Sequence, residues 1–238
     1  MSCSGKSSGS CQLCQSFQRG VFSELSDEEL SLLEQCKTSN KYKKKQVVFY
    51  EGNPVVGVYC VRSGKIKLFK TSSTGKQQIA KIAQKGDILG HSALFVEAPH
   101  AVTAEVLEDS EICFLDRTRF LTLLRTNVSV SLKLLAQVSR ELNRSEEQAL
   151  DLAYKSVRVR FVEFLLTLKQ TFGVLDNGVY RIDITLSREE LAQAIGTTTE
   201  TAVRLLSEFR ADGLVEIEKK SISLLDAQKL LKYTEVGY

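Results

Sequence analysis

The first half of the chain alternates short apolar runs with single glycines. The runs are VVFY, VGVYCV, KIKLFK, QQIAKIA, ILG, AVTAEV and EICFL, and glycines such as Gly64 and Gly86 separate them. Apolar and polar residues alternate in KIKLFK, so one face of that strand is expected to meet solvent. Short strands at regular spacing, with turn residues between them, predict a β-roll or a small barrel.

Helical patterns flank these strands. Before them, Ser26 and Glu29 have the spacing of a capping box, which predicts a short helix that ends near Cys36. After them, a helical period begins at about Arg117 and continues for more than thirty residues. Apolar residues recur there at seven-residue intervals, at Leu121, Val128, Leu135 and Leu142.

The seven-residue repeat indicates a helix with one narrow apolar seam. A small monomer has little surface with which to cover so long a seam. We therefore expect the helix to pack against its copy in a second subunit and to form a two-fold dimer. Its first two turns are expected to lie on the β-roll of their own chain.

Two further helices are predicted near the C-terminus, where a threonine-rich turn joins them. Ser187 can cap the first helix, and Gly196 ends it in the manner of a C′ residue. Thr198 can cap the second helix, which Gly213 closes. LVEIEKKSISLL then predicts a two-stranded wing and is followed by a last helix. Two helices joined by a tight turn, with polar residues leading the second, are the helix-turn-helix arrangement.

The leading face of the second helix carries side chains suited to duplex DNA. Arg204 matches the O6 and N7 acceptors of guanine, Glu200 can accept from cytosine N4, and Val203 offers a methyl surface to thymine. The hydroxyls of Thr198 and Thr199, with the helix N-terminus, suit phosphate oxygens. The alternative is an exposed helical hairpin in which Glu200 and Arg204 form an intrahelical ion pair.

Composition is that of a globular protein, with 43% hydrophobic and 26% charged residues. The net charge of +3 is too small to indicate a nucleic-acid partner by itself, so DNA binding must depend on local placement of charge. No apolar run approaches the roughly 18 residues of a membrane helix. The N-terminus lacks the apolar core of a signal peptide, so we expect a cytoplasmic location and no membrane contact. In that reducing compartment Cys36 and Cys60 are expected to be core residues.

The order of these parts resembles the cyclic-AMP receptor protein/FNR family of bacterial transcription regulators, and its FNR-like branch more than its cyclic-AMP branch. The matching residues are YEGN (50–53), VRSGKIKLF (61–69), GD (86–87), GHSALF (90–95), the seam helix, and residues 186–217. The resemblance implies an α+β chain with a jelly-roll-like β-roll, a dimerisation helix and a winged helix-turn-helix.

The resemblance also implies domain bounds and partners. The implied parts are a flexible cysteine-containing arm (1–20), a sensory β-roll (21–118), a dimerisation helix (119–154) and a DNA-binding domain (155–238). Glu200, Val203 and Arg204 occupy positions that read DNA in the family, and Ser187 caps the helix before them. The implied partners are a second copy of the chain, a double-stranded DNA palindrome and RNA polymerase.

The implied effector pocket departs from that of cyclic-nucleotide binders. Those members carry a Gly-Glu pair and, about ten residues later, an Arg-Ser or Arg-Thr pair. Here His91 follows Gly90, and Ala101 and Val102 stand where the second pair would lie. An alanine cannot neutralise a buried phosphate, so cyclic AMP is not expected to bind in the usual way. The candidate pocket residues are Gly90, His91, Ser92, His100, Ala101 and Val102, of which either histidine can replace part of the missing charge.

Cysteines form a candidate metal site. FNR-type oxygen sensors bind a [4Fe–4S] cluster through three N-terminal cysteines and one in the β-roll. Four thiolates at corresponding places are present in this chain, but the spacing of the first three is C-x7-C-x2-C and not C-x2-C-x5-C. Zinc on the same thiolates, a dithiol switch, an organic effector, haem and no ligand stay open as alternatives. The candidate ligands are Cys3, Cys11, Cys14 and Cys113.

The sequence therefore predicts a dimeric, sequence-specific DNA-binding transcription regulator controlled by a redox, oxygen or small-molecule signal in its N-terminal half. One alternative is an effector-binding β-roll whose winged helix docks a protein. Another is a cyclic-nucleotide-type regulator with an altered pocket. An enzyme is not expected, because no βαβ pattern surrounds CQLC and no Ser/His/Asp or metal-hydrolase constellation is visible.

Overall fold

The computed structural model describes residues 20–176, 178–218 and 221–235. Contacts divide the chain into two compact units, Met1–Gly75 with Ala80–Asn143 and Lys76–Ile79 with Arg144–Tyr238. Strands dominate the first unit and helices the second, which confirms the predicted α+β class. Within the described ranges, no helix is both long enough and apolar enough to cross a membrane.

The first unit begins with helix α1 (Asp27–Cys36), and the predicted capping box is present, with Ser26 and Glu29 each accepting from the other's backbone N–H. The strands of a β-roll follow, and helix α2 (His91–Phe95) interrupts them. The strands are β1 (Thr38–Tyr42), β2 (Val47–Phe49), β3 (Gly57–Ser63), β4 (Lys65–Thr71), β5 (Gln77–Gln84), β6 (Ile88–Leu89), β7 (Thr103–Val106) and β8 (Ser110–Asp116).

The roll consists of two sheets with strand orders β1-β8-β3-β6 and β2-β7-β4-β5. Successive side chains of a strand point to opposite faces, so β3 and β8 each supply two separate apolar clusters. The inner core contains residues from both sheets, among them Phe49, Val61, Ile66, Leu68, Ala104, Val106 and Ile112. The outer core lies on the other face of the first sheet and contains Val21, Phe22, Leu25, Leu33, Val58, Cys60, Ile88, Leu94, Cys113, Leu115, Phe120, Val130 and Leu134.

The prediction of one continuous seam helix is wrong at one point. The chain forms α3 (Arg117–Thr126) and α4 (Val128–Tyr154), with Asn127 between them in an extended conformation. The Asn127 side chain accepts from the Val130 backbone N–H and donates to Glu29, so it caps α4 and ties it to α1. Leu121 consequently packs against the outer core, so the prediction that it belongs to the seam is wrong.

The second unit contains four complete helices of the described residues around a small sheet. Helix α5 (Val157–Phe172) leads into β9 (Gly173–Asp176) and β10 (Val179–Ile182), and α6 (Arg188–Ile195) and α7 (Thr199–Ala211) come next. The wing strands β11 (Val215–Glu218) and β12 (Ser221–Leu224) extend the sheet in the order β11-β12-β10-β9, and α8 (Ala227–Glu235) ends the described chain. The ring of Phe161 on α5 packs edge-on against Phe209 on α7, with centroids 5.7 Å apart.

Candidate nucleic-acid interface

Side-chain caps fix the ends of α6 and α7, as the sequence predicts. Ser187 Oγ accepts from the Glu190 backbone N–H at 3.1 Å, and the Glu190 carboxylate accepts from the Ser187 backbone N–H at 2.8 Å. Gly196 ends α6 in the left-handed conformation, with φ of 67°. Thr198 then caps α7 by accepting from the Thr201 backbone N–H. These contacts fix both termini of the helix-turn-helix.

Helix α7 has one buried and one exposed face. Ala202, Leu205, Leu206 and Phe209 are buried, in the 3, 4 spacing of a helix that packs on its neighbour. Val203 and Arg204 point outward, and 42% of Val203 is exposed. The predicted base-reading side chains are thus available at the surface of the second unit.

The remaining DNA-binding candidates differ in exposure. Thr198 and Glu200 are exposed, whereas Ser187 and Thr199 are half-buried. Although Ser187 Oγ is used as a cap acceptor, its O–H can still donate to a phosphate oxygen.

Glu200 does not form the intrahelical pair with Arg204 that the alternative interpretation supposed. Interaction of its carboxylate with its own backbone N–H and with the Thr198 side chain lowers the pKa of Glu200. Arg204 instead donates through Nη1 to Glu208 Oε1 at 2.7 Å, one turn toward the C-terminus. The two DNA-reading candidates are therefore held by different neighbours.

Glu208 also binds a second arginine, a contact that the sequence did not reveal. Its Oε2 accepts from Nη2 of Arg158, which lies in the first turn of α5. The Arg158 guanidinium lies over the rings of Phe209 and Tyr233, 5.6 Å and 5.8 Å from their centroids. A planar cation stacked on aromatic rings is held in one orientation, so Glu208 has a fixed partner on its inner side.

An open cavity of about 510 Å³ adjoins the exposed face of α7. Two guanidinium groups border it, and such groups suit phosphate oxygens in a bidentate manner. The lining residues are Arg188, Val203, Leu206, Ser207, Arg210, Ala211 and Ile217.

In the β-roll, His91 is buried and faces α4. Its Nε2 lies 3.1 Å from Glu141 Oε2, and Lys81 Nζ donates to the other carboxylate oxygen at 2.8 Å. Burial raises the pKa of Glu141, but the hydrogen bond from His91 and the charge of Lys81 outweigh that effect and hold the pKa at about 2. His91 Nδ1 is buried and has no hydrogen-bond partner among the described residues.

The remaining pocket candidates lie in two segments that meet where Gly90 approaches His100. His100 is buried and stacks on Phe49 with centroids 3.9 Å apart, and burial lowers the pKa of His100, which keeps it neutral at pH 7. Gly90 adopts φ of 82°, and a Cβ there would lie 3.1 Å from His100 Cε1. Ser92 and Ala101 are exposed, and Val102 is half-buried. His100 therefore does not supply the positive charge that would bind the phosphate of a cyclic nucleotide.

The cysteine candidates are only partly within the described residues. Cys3, Cys11 and Cys14 lie outside them. Cys113 is in β8, is 2% exposed and lies with its Sγ 3.9 Å from the Ser39 hydroxyl oxygen. Cys60 is buried in the outer core, as predicted. No group of three or more His, Cys, Asp or Glu residues in the described ranges could hold a metal ion.

The seam of α4 presents an apolar stripe to solvent. Val128, Leu135 and Leu142 are 69%, 61% and 58% exposed, although the same helix buries Val130 and Leu134 in the outer core. A stripe of large apolar side chains along one face of a long helix is the kind of surface that a second helix covers.

Comparisons with known proteins agree with this geometry. A cyclic nucleotide-binding domain profile matches residues 39–127, and a Crp-like helix-turn-helix domain profile matches residues 159–233. The chain is 26% identical to the CRP-like cAMP-activated global transcriptional regulator of Mycobacterium tuberculosis over 90% of this chain and 95% of that one. It is 28% identical to the transcriptional activator protein anr of Pseudomonas aeruginosa over 84% and 82% of the two chains.

A similar structure is that of FixK2 from Bradyrhizobium japonicum, with a TM-score of 0.73 and 28% identity over 82% of this chain and 96% of that one. A β-roll followed by a long helix and a capped helix-turn-helix defines a DNA-binding transcription regulator. The chain belongs to the CRP/FNR family of these regulators. Regulators of this family bind DNA and act as dimers.

Proposed function

We propose that two copies of the chain, paired along α4, read a DNA palindrome with the exposed face of α7. Residues 155–238 form the DNA-binding domain in this proposal, residues 119–154 the dimerisation region, and residues 1–118 the arm and sensory domain. The main support for this proposal is that α7 has two different faces. Leu205 and Phe209 are buried on one face, and Val203 and Arg204 are exposed on the other. Arg204 supplies donors for guanine, and Glu200 supplies an acceptor for cytosine.

Selection from a random pool of duplex DNA tests this proposal. We expect enrichment of a palindrome whose half-sites lie about 10 base pairs apart, because each dimer presents two copies of α7. Affinity should fall steeply with salt, since arginines and helix N-termini displace counterions from phosphates. A winged helix that docks a protein predicts no enriched duplex, and that result would overturn the proposal.

Contact with RNA polymerase is part of the proposal, because relatives carry the name transcriptional activator. The proposal therefore also includes a cytoplasmic location, where the protein would meet both partners. In vitro transcription from a promoter with the selected operator tests the contact. We expect a change in transcript level that depends on the operator, and an unchanged level would oppose it.

The proposed signal is not cyclic AMP bound in the usual way. Ala101 is exposed and uncharged, and His91 already binds Glu141 in place of a ligand. Titration calorimetry with cyclic AMP should therefore show no saturable heat. Saturable binding would instead support the alternative of a cyclic-nucleotide regulator with an altered pocket.

A [4Fe–4S] cluster on Cys3, Cys11, Cys14 and Cys113 is our proposal for the redox signal. Cys113 lies in the outer core with Val21, which follows Cys14 by seven residues. Seven extended residues span roughly 23–25 Å, so thiolates of the arm can reach the face of the sheet that carries Cys113. Four thiolates suit such a cluster, which would supply oxygen-sensitive redox chemistry.

Anaerobic purification distinguishes the metal alternatives. We expect a brown protein with four irons per chain, and Cys113→Ser should remove the colour. A colourless preparation that contains zinc would show that the cysteines hold a structural zinc ion and not a cluster. A colourless preparation without metal would reject both and leave a dithiol or an organic effector.

A further inference from the structure

Cys60 and Cys113 are direct neighbours across two strands. Strands β3 and β8 pair in antiparallel register, with Tyr59 opposite Phe114, Cys60 opposite Cys113, and Val61 opposite Ile112. Residues directly opposite in such a pair project to the same face of the sheet. Both cysteines accordingly belong to the outer core, where they are 9% and 2% exposed.

The register matches the Cα spacing of a disulfide bond. Opposed residues of antiparallel strands have Cα atoms about 4.5 or 5.5 Å apart, depending on the hydrogen-bonding position. Disulfides span Cα separations of about 4.4–6.8 Å, so either position permits the bond without separating the strands.

The surroundings favour a small oxidant. Val21 and Phe22 belong to the same outer core as both cysteines. A cavity of about 10 Å³ borders Cys60, between these two residues and the β-roll. That volume corresponds to about one water molecule, so a peroxide reaches the thiols with far less displacement than a glutathione-sized disulfide. Burial limits access of the oxidant to the thiols, so we expect a slow reaction.

We propose that Cys60 and Cys113 form a reversible intrachain disulfide when the protein meets a hydroperoxide. One thiol loses its proton, and the thiolate attacks an oxygen of hydrogen peroxide; the O–O bond breaks, the leaving hydroxide takes up that proton, and a sulfenic acid and one water are formed. The second thiol attacks that sulfur, the S–S bond forms, and a second water leaves. Two thiols are oxidised and one hydrogen peroxide is reduced to two waters; a dithiol reductant reverses the bond.

The bond has a consequence for the proposed function, and this part of the inference rests on that function. Strands β3 and β8 both contact α3, which leads through Asn127 into α4. A cross-link between them is therefore placed to alter the start of the dimerisation helix. It also removes Cys113 from any metal site, so disulfide and cluster are mutually exclusive states of this residue.

Peptide mapping tests the bond directly. The full-length protein is treated with hydrogen peroxide, alkylated and digested with trypsin without reductant. Cys60 then lies alone in peptide 46–62 and Cys113 alone in peptide 86–117. We expect these two peptides to be linked, and the link to disappear with dithiothreitol. A link from Cys113 to any other cysteine, or Cys113 still alkylated at a peroxide dose that oxidises other cysteines, would overturn the proposal.

Matched variants complete the test. Cys60→Ser should abolish the link, and Cys60→Ala serves the same purpose if a buried hydroxyl prevents folding. Cys36→Ser changes another cysteine of the same unit and should keep the link; its loss in that variant would refute a direct Cys60–Cys113 bond.

Operator affinity of the same samples should change at least about 5-fold on oxidation. A smaller change would overturn only the proposal that the disulfide regulates DNA binding. A reduced protein without any operator affinity would refute the proposed function while the peptide map still decides the bond.

Discussion

Arg204, the best candidate for reading guanine, is bound in the structure to Glu208, with Nη1 and Oε1 2.7 Å apart. Glu208 is fixed on its other side by Arg158, which stacks on two aromatic rings. A guanidinium has five N–H donors, so Arg204 can keep its contact with Glu208 and still present a second edge to guanine O6 and N7. Glu208 therefore positions the reading arginine and also places a negative charge close to the DNA.

The first prediction concerns Glu208→Gln. Loss of the negative charge should raise affinity for random-sequence duplex several-fold, because the Glu208 carboxylate no longer repels the DNA phosphates. The freed Arg204 should also lower the ratio of operator to random-sequence affinity by about 3- to 10-fold. Fluorescence anisotropy with both duplexes at one salt concentration measures the two effects.

Glu216→Gln is the matched control for this charge. Glu216 is an exposed carboxylate on wing strand β11 and is not bound to Arg204. Its neutral variant should leave the operator-to-random ratio unchanged. Equal ratios in both variants would mean that Glu208 acts only through its charge, which contradicts a positioning role.

The second prediction concerns the reading arginine itself. Arg204→Ala should weaken operator binding by about 1–3 kcal/mol and relax the guanine preference at one position of each half-site. Arg210→Ala, on the same helix and beside the same cavity, should weaken all duplexes equally and reduce the salt slope by about one. Unchanged base selectivity in the Arg204 variant would refute the proposed reading face.

The sequence predicted caps and periodicity well because these depend on residues three or four positions apart. Ser26, Ser187 and Thr198 all cap as their local sequence indicates. Strand β1 was missed, because it is an edge strand whose sequence TSNKY has no apolar alternation. The break at Asn127 was missed because apolar positions keep the same period on both sides of it.

Side-chain partners distant in sequence could not be predicted. His91 and Glu141 are fifty residues apart, and only the placement of α4 beside α2 brings them together. For Arg204 the sequence offered acidic residues four positions away on either side. The N-terminal Glu is the usual partner in a helix. Here Glu200 is engaged by its own backbone N–H and by Thr198, so Arg204 pairs with Glu208.

The third prediction is a pH dependence of stability from Glu141. Its pKa falls from 4.5 to about 2 in the folded state, so its contribution is complete above pH 4.5 and is lost as pH falls through 2. Glu141→Gln should therefore cost about 1–3 kcal/mol at pH 7 and much less at pH 2. Urea titrations followed by circular dichroism at both pH values measure the difference. A cost that is the same at both values would show that His91 and Lys81 do not stabilise the carboxylate.

The fourth prediction concerns the apolar stripe of α4. Leu135 is 61% exposed in the single chain, whereas its neighbour Leu134 is 3% exposed in the outer core. Leu135→Glu should therefore leave the folded subunit intact and place two carboxylates in the seam of the dimer. Burial of these charges should weaken dimerisation by at least about 100-fold, or roughly 3 kcal/mol.

Light scattering after size exclusion measures the mass of the Leu135→Glu variant, and circular dichroism checks its fold. Arg140→Glu is the control, because Arg140 is exposed on α4 away from the stripe and should stay dimeric when changed. The monomeric variant should also lose most operator affinity, since a single subunit contacts only one half-site. A Leu135→Glu protein that keeps the mass of a dimer would show that another surface joins the subunits, and the spacing expected for the palindrome would then have to be abandoned.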